Sequence, residues 1–236
     1  MIKINTIPDS QSQWFNISFK SIGYKRKLFK LPNHDFYFLF FKEFKKKFKS
    51  IDQLPKKWIQ EKHETAILLS KNIQKGNILS YQSGLSFIEN DLNKLINKKI
   101  FIHEFTDMSK VFFSNPNLIF LKKESLKNYN FNNVILCQML YDKNYFEIKK
   151  IITELKDIMF NSSYLYIIHS DLRDNKFNIL VQILKFIIKH FFNPYEFFWG
   201  YRRSLNYYSR LLHNEGFISK RVIKLDHQSL MIFKKN

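Results

Sequence analysis

The chain has 236 residues, of which 45% are hydrophobic and 25% charged, so it can bury a sizeable core and is neither a disordered nor a fibrous protein. Its net charge of +19 suits an anionic partner, although a composition biased toward Lys, Asn, Ile and Phe explains the charge as well. The apolar runs are too short for a membrane span, the N-terminus lacks the apolar block of a signal peptide, and the single cysteine, Cys137, excludes an internal disulfide, so we expect a cytoplasmic protein.

Residues 1 to 56 are predicted to form an N-terminal helical extension or lid. Residues 1 to 32 are irregular, with breaks at Gly23 and Pro32. Asn33 is a plausible helix cap, and the helix predicted from Asp35 to Lys49 is amphipathic and basic. Its apolar stripe consists of Phe36, Phe40, Phe44 and Phe48. Packing on the protein's own core is the favoured interpretation, with a membrane surface as the alternative.

Residues 57 to 236 are predicted to form a second domain in which helices and strands alternate. After a helix at 57–72, strands are expected at 78–81, 99–104, 118–121, 134–139 and 164–169, with helices at 87–97 and 145–160. A helix at 177–191, an aromatic loop at 193–200, a helix at 202–214 and strands at 217–225 and 228–234 follow. This order predicts an α/β Rossmann-like three-layer sandwich whose seven-stranded sheet is mainly parallel and ends in an antiparallel hairpin.

The strand, turn and helix over residues 77 to 90 are the most informative stretch of the chain. Gly84 lies in the turn, and Glu104 ends the next strand about 20 residues later, the position at which a ribose-binding acid is expected. An ordinary turn with one helix-capping glycine explains the stretch about as well.

Five strand-helix units followed by a helix and a hairpin resemble the class I S-adenosylmethionine-dependent methyltransferases from roughly residue 57 to the end. In that family the first strand ends in a glycine-rich loop that holds the cofactor. Gly84 matches the central glycine, whereas Gln82 and Ser86 replace the outer two and Ser80 replaces an acid. The resemblance implies S-adenosylmethionine as the cofactor and the following residues at its site: Ser80, Tyr81, Gln82, Gly84, Ser86, the ribose acid Glu104, Glu124 or Ser125 at the adenine, and Gln138 after the fourth strand.

Residues at the end of the fifth strand are candidates for the chemistry of methyl transfer. His169 is the candidate general base, although a strand-end histidine bonded to backbone or water explains it too. Asp171 and Arg173 in the next loop, and Trp199, Tyr201 and Arg202 further on, are candidate substrate-binding residues suited to a sugar, base or phosphate. A solvated loop and core packing are the alternatives. The scattered histidines predict no metal site.

The sequence therefore predicts a methyltransferase that acts on a small acceptor or one of sugar or nucleotide type. A methyltransferase-like binding or scaffold protein that has lost the cofactor is one alternative. A basic RNA-binding protein is another, and it is not favoured because the chain carries no recognisable nucleic-acid-binding module. The sequence does not predict an oligomeric state.

Overall fold

The computed structural model describes residues 5–25, 30–104, 110, 112–170, 172, 176–226 and 228–236. Two predicted substrate-binding residues, Asp171 and Arg173, lie outside these ranges. None of the helices in the described part of the chain is long and apolar enough to cross a bilayer.

The described strands are β1 (Thr6–Gln11), β2 (Gln13–Trp14), β3 (Ile17–Ser18), β4 (Ile78–Tyr81), β5 (Ile100–His103), β6 (Leu118–Leu121), β7 (Phe131–Cys137), β8 (Met159–His169), β9 (Phe197–Arg203), β10 (Phe217–Lys224) and β11 (Ser229–Lys235). The described α-helices are α1 (His34–Lys47), α2 (Lys56–Ser70), α3 (Phe87–Ile96), α4 (Tyr145–Asp157), α5 (Lys176–Phe192) and α6 (Leu205–Asn214).

The main sheet has seven strands in the order β10-β11-β8-β7-β4-β5-β6. Strands β4, β5, β6, β7 and β8 pair in parallel, whereas β11 is antiparallel to both β8 and β10. The predicted Rossmann-like fold and its terminal hairpin are confirmed. Because β4 pairs with β5 on one side and β7 on the other, the direction of winding reverses there, and the carboxyl end of β4 opens into the crevice where such sheets bind ligands.

The aromatic loop predicted at 193–200 is wrong, because β9 begins at Phe197 and pairs antiparallel with β1 as a separate two-stranded ribbon. Four consecutive residues of β9, Phe197–Gly200, are buried, so the sequence lacks the alternation that marks a half-exposed strand. The irregular lead-in predicted for residues 1 to 32 also contains β1 and the β2–β3 hairpin. Pro8 in β1 suits its position in an isolated ribbon, where an unpaired backbone edge is available.

The apolar stripe of α1 packs on the protein itself, as predicted. Phe36, Phe40 and Phe44 have no exposed surface, and Asn33 caps the helix by accepting the Phe36 amide at 3.1 Å. Their rings join an aromatic cluster that also contains Phe19 and Trp199. The same cluster includes Leu85, from the turn after β4, and Phe87, the first residue of α3. The N-terminal segment therefore packs over the crevice at the carboxyl end of β4.

Candidate functional site

The turn after β4 adopts a glycine-type backbone even where glycine is absent. Gln82, Gly84 and Ser86 have φ values of 56°, 66° and 58°, and a left-handed conformation costs a non-glycine residue roughly 1–2 kcal/mol. The Gln82 amide donates to the His103 carbonyl at 2.6 Å, which ties the turn to β5. A Cβ added at Gly84 would meet no atom within 4 Å, so open space lies beside the turn.

Glu104 completes the turn from the neighbouring strand. Its Oε2 accepts a hydrogen bond from the Gly84 amide at 2.5 Å, and its side chain lines the same pocket as the turn. The carboxylate thus lies at the carboxyl edge of the sheet, next to the open space beside Gly84. A carboxylate in this place can accept hydrogen bonds from vicinal hydroxyl groups.

Glu89, in the first turn of α3, is a buried acid that the sequence analysis missed. It is 1% exposed, and its Oε1 accepts a 2.5 Å hydrogen bond from the Ser80 hydroxyl. Burial raises the pKa of Glu89, while the Ser80 hydroxyl, its own backbone amide and the positive charge of Lys62 oppose the rise. The helix therefore places a carboxylate next to Ser80, the residue that replaces the acid of the first strand. The position of this acid on the apolar face of α3 was the feature of the sequence that could have indicated a buried carboxyl group.

The turn opens into a pocket of about 170 Å³. Five predicted cofactor-binding residues line it: Gln82, Gly84, Ser86, Glu104 and Gln138. On the opposite wall are aromatic side chains of the N-terminal segment and α2, namely Trp14, Tyr37, Phe41 and Trp58. The pocket is thus closed by two elements that are distant in sequence.

The other predicted cofactor-binding residues lie away from this pocket. Ser80 is fully buried behind the turn, and Tyr81 belongs to the core on the side of α4 and α6. Glu124 and Ser125 lie in a 3-10 helix at Lys123–Asn128 after β6, with Glu124 exposed. Their predicted contact with adenine remains a prediction.

A second pocket of about 250 Å³ adjoins the first. His169, Trp199, Tyr201 and Arg202, four of the predicted catalytic and substrate-binding residues, line it together. The residues that line both pockets are Trp14, Trp58, Lys62, Gln138 and Tyr141. The two pockets therefore form one cleft with a turn half, built around residues 82–89 and Glu104, and an aromatic half, built around β9 and His169.

His169 is a buried histidine without a hydrogen-bond partner on either ring nitrogen among the described residues. Its pKa falls to about 3, chiefly because of burial and also because of the positive charges of Arg203 and Arg202, while the Tyr201 backbone opposes the fall. The imidazole is therefore neutral at pH 7. Its ring lies edge-on to Tyr208, with the ring centroids 5.0 Å apart. A neutral imidazole in this place can accept a hydrogen bond from a hydroxyl group in the aromatic half, although so low a pKa makes it a weak base.

The loop after β7 is held against β9 where the two halves meet. Arg203 donates to the carbonyls of Leu140, at 2.7 Å, and Lys143, and the Tyr201 amide donates to the Tyr141 carbonyl at 2.7 Å. A Cβ at Gly200 would lie 2.6 Å from the Tyr141 carbonyl oxygen, so this approach requires glycine. These contacts fix the position of the Tyr141 ring, which forms part of the wall of both pockets.

The Tyr141 hydroxyl lies 3.5 Å from that of Tyr37, which in turn donates to Asp142 Oδ2 at 2.8 Å. Burial raises the pKa of both phenols well above their usual value. Both hydroxyl groups are therefore neutral at physiological pH, and they serve as hydrogen-bonding groups rather than as charged ones.

Comparisons with known proteins support the fold. No protein-family model and no curated protein matches the chain by sequence. Among solved structures, a putative O-methyltransferase from Nostoc punctiforme PCC 73102 aligns with a TM-score of 0.63 at 12% identity, covering 92% of this chain and 67% of that one.

Two further structures contain the cofactor or its product. Human N-acetylserotonin methyltransferase in complex with SAM has a TM-score of 0.57 and 16% identity, over 75% of this chain and 51% of that one. CalO1, a methyltransferase of calicheamicin biosynthesis with SAH bound, has a TM-score of 0.59 and 9% identity, over 86% of this chain and 59% of that one. The chain thus spans little more than half the length of these two proteins. Its fold is that of the class I S-adenosylmethionine-dependent methyltransferases.

Proposed function

We propose that the protein transfers a methyl group from S-adenosylmethionine to a small-molecule acceptor. The observation that carries this proposal is the turn half of the cleft, where a glycine-type backbone, Glu104 and open space meet at the carboxyl end of β4. Non-glycine residues adopt such a backbone at a cost in stability, and strain of this kind concentrates at ligand-binding sites.

The turn half fits the cofactor in three respects. We expect Glu104 to accept hydrogen bonds from the ribose hydroxyls and residues 82–86 to face the methionine part, while Glu89 adds a buried acid that lines the same pocket. When bound, S-adenosylmethionine supplies an electrophilic methyl group. The adjoining aromatic half then leaves room for an acceptor beside it.

The aromatic half supports a flat acceptor with an anionic substituent. Trp14, Trp58 and Trp199 offer stacking surfaces, and Lys62 and Arg202 supply positive charge. These features suit a sugar- or nucleotide-type molecule as well as a simple aromatic one. We assign His169 the proton that an acceptor hydroxyl loses as its oxygen gains the methyl group, a role that requires its pKa of about 3 to rise when the acceptor binds.

We assign residues 1 to 56 the role of a lid. Trp14, Tyr37 and Phe41 from this segment line the cleft, so the segment separates bound ligands from water. The cytoplasmic location belongs to the same proposal and rests on the single cysteine.

A methyltransferase-like binding protein is the second candidate. The observation that favours it is the side chain of Gln82, which lines the pocket at a position where the family has glycine. Such a protein keeps the fold and the cleft but excludes the cofactor.

Calorimetric titration with S-adenosylmethionine and S-adenosylhomocysteine separates the two candidates. We expect micromolar binding that Glu104→Ala weakens by at least 100-fold, because the variant loses both the ribose contact and the Gly84 hydrogen bond. Glu43→Ala removes an equal charge from α1, outside the cleft, and should leave the affinity unchanged. A folded protein that binds neither ligand is not a methyltransferase, and the scaffold candidate would then stand.

A further inference from the structure

One face of α5 is apolar and exposed. Its side chains are between 40% and 83% exposed and recur at the three- and four-residue spacing of one helix face: Leu180, Leu184, Ile187, Ile188, Phe191 and Phe192. We call these six residues the outer face of α5. A monomeric protein rarely exposes a contiguous apolar patch of more than a few hundred Å², and larger patches usually mark an interaction site.

The opposite face of α5 anchors the helix to the protein. Phe186 and His190 are buried, and their rings pack against Phe198 of β9. Arg202 Nη1 donates to Gln182 Oε1 at 3.1 Å. The helix is therefore seated on the β1–β9 ribbon by one face, while the side chains of its outer face keep at least 40% of their surface exposed.

Among the described residues, the exposed charged groups beside the outer face are basic. Lys185 and Lys189 are exposed along one flank, and Lys20 lies over the Tyr195 ring, 4.6 Å from its centroid, just beyond the end of the helix. The segment 176–192 contains no acidic residue. Two acids lie near this flank: Glu196, which is 4% exposed and 3.8 Å from Lys189, and Asp9 of β1, which is partly buried.

A second copy of the chain suits this face poorly as a partner. It would bring the same lysines and another net charge of +19 to the interface, and like charges repel across a contact. An anionic surface has the opposite sign. Helices that lie in a membrane interface combine an apolar face with flanking lysines, which attract anionic headgroups.

We propose that α5 binds the surface of an anionic lipid bilayer, with its outer face among the acyl chains and Lys185 and Lys189 at the headgroups. The chain then docks on the membrane without crossing it. This inference is independent of the proposed methyl transfer, because the outer face is not part of the cleft.

Cosedimentation with lipid vesicles tests the apolar part of the proposal. We expect the full chain to bind vesicles of phosphatidylcholine and phosphatidylglycerol in equal parts, and the Ile188→Glu/Phe192→Glu variant to bind at least tenfold more weakly. The matched control is Tyr145→Glu/Phe146→Glu, which alters two side chains of α4 that are 47% and 78% exposed. The control should bind within twofold of the unaltered chain, and circular dichroism checks that both variants fold.

A second arm tests the charges. Lys185→Gln should weaken binding by roughly fivefold, since a lysine near an anionic surface contributes about 1 kcal/mol, whereas Lys220→Gln on the exposed side of β10 should not. Equal binding to vesicles of phosphatidylcholine alone would overturn the assignment of an anionic surface.

Two results would overturn the proposal as a whole. One is the absence of binding, or binding that the Ile188→Glu/Phe192→Glu variant leaves unchanged. The other is a dimer, seen by analytical ultracentrifugation without lipid, that this variant dissociates, because the outer face would then be an interface between two copies.

Discussion

The two halves of the cleft are assembled in different ways. The turn half comes from one stretch of chain, residues 78 to 104, in which a strand, a turn, a helix and the next strand follow in order. The aromatic half combines β9, His169 at the end of β8, and Trp14 from the N-terminal segment. Local sequence determines the first, and contacts between distant segments determine the second.

The halves also differ in how their geometry is held. In the turn half the backbone carries the strain, with Gln82 and Ser86 in the left-handed region. In the aromatic half the rings pack closely, with Trp14 and Trp199 centroids 5.4 Å apart, and Gly200 leaves no room for a methyl group. The first half should therefore respond to changes of backbone preference and the second to changes of volume.

Replacing one glycine in each half with alanine should show the largest difference between them. Gly200→Ala places a Cβ 2.6 Å from the Tyr141 carbonyl oxygen, and overpacking of this kind costs about 1–3 kcal/mol. Gly84→Ala meets open space and should cost about 1 kcal/mol, for its left-handed backbone alone. Urea denaturation measures both free energies of unfolding, and equal losses would show that packing does not distinguish the halves.

Gly200→Ala should also leave the binding of the cofactor product largely unchanged. Gly200→Ala displaces the loop at Tyr141 but leaves the Gln82–His103 and Gly84–Glu104 hydrogen bonds in place. Calorimetry should therefore show S-adenosylhomocysteine binding within threefold of the unaltered protein. A large loss of affinity would mean that the two halves form a single unit.

His169→Phe tests the aromatic half through its pH dependence. The native state keeps His169 neutral because its pKa is about 3, whereas the unfolded chain takes up a proton below about pH 6.5. Stability contributed by the neutral form is therefore lost as the pH falls from about 6.5 toward 3. At pH 5 this loss amounts to about 2 kcal/mol, at about 1.4 kcal/mol per pH unit, and the phenylalanine variant should not show it.

Denaturation at pH 7 and pH 5 measures the effect, with the exposed His63→Phe as a matched control. If the two variants have the same acid sensitivity, His169 is not held neutral by burial. Once an acceptor is known, His169→Phe should lower its turnover by about 100-fold or more without changing the affinity for the cofactor.

The sequence predicted the turn half more fully than the aromatic half. β4 and β6 have the predicted bounds, and Gly84 and Glu104, both predicted at the cofactor site, lie within hydrogen-bonding distance of each other, because strand-turn-helix patterns are local. Trp199 and His169 were identified, but their neighbour Trp14 was not, since nothing near residue 14 indicates that it reaches β9. Glu89 was missed for another reason, since an acid in the first turn of a helix usually caps it in solvent.

Glu89→Gln should show what the buried acid contributes to the turn half. Burial raises the pKa of Glu89 above its ordinary value of 4.5, so the native state binds this proton more tightly than the unfolded chain does. Stability therefore falls as the pH rises from about 4.5 through the native pKa, and the variant, which stays neutral, should be more stable at pH 7. Denaturation at pH 4 and pH 7 measures whether the variant becomes more stable than the unaltered protein as the pH rises.

The same variant should bind S-adenosylmethionine about tenfold more weakly if Glu89 takes the place of the strand acid that Ser80 replaces. Ser80→Ala serves as the comparison, because it removes the hydrogen bond and keeps the carboxylate. Unaltered affinity in Glu89→Gln would restrict the acid to a structural role.

The smallest expected effect tests the strain in the turn. Gln82→Gly relieves a left-handed backbone worth roughly 1–2 kcal/mol, offset by roughly 0.5–1 kcal/mol of added freedom in the unfolded chain, so a net gain of about 0.5 kcal/mol is expected. Ser83, one residue further, has no positive φ to relieve, so Ser83→Gly should lower the free energy of unfolding by about 0.5 kcal/mol. If denaturation shows that Gln82→Gly raises the free energy of unfolding and Ser83→Gly lowers it, the backbone of this turn keeps a glycine conformation against the preference of its own sequence. If both variants lower the free energy of unfolding, Gln82 adopts its φ without strain. The two halves of the cleft would then differ in their packing alone.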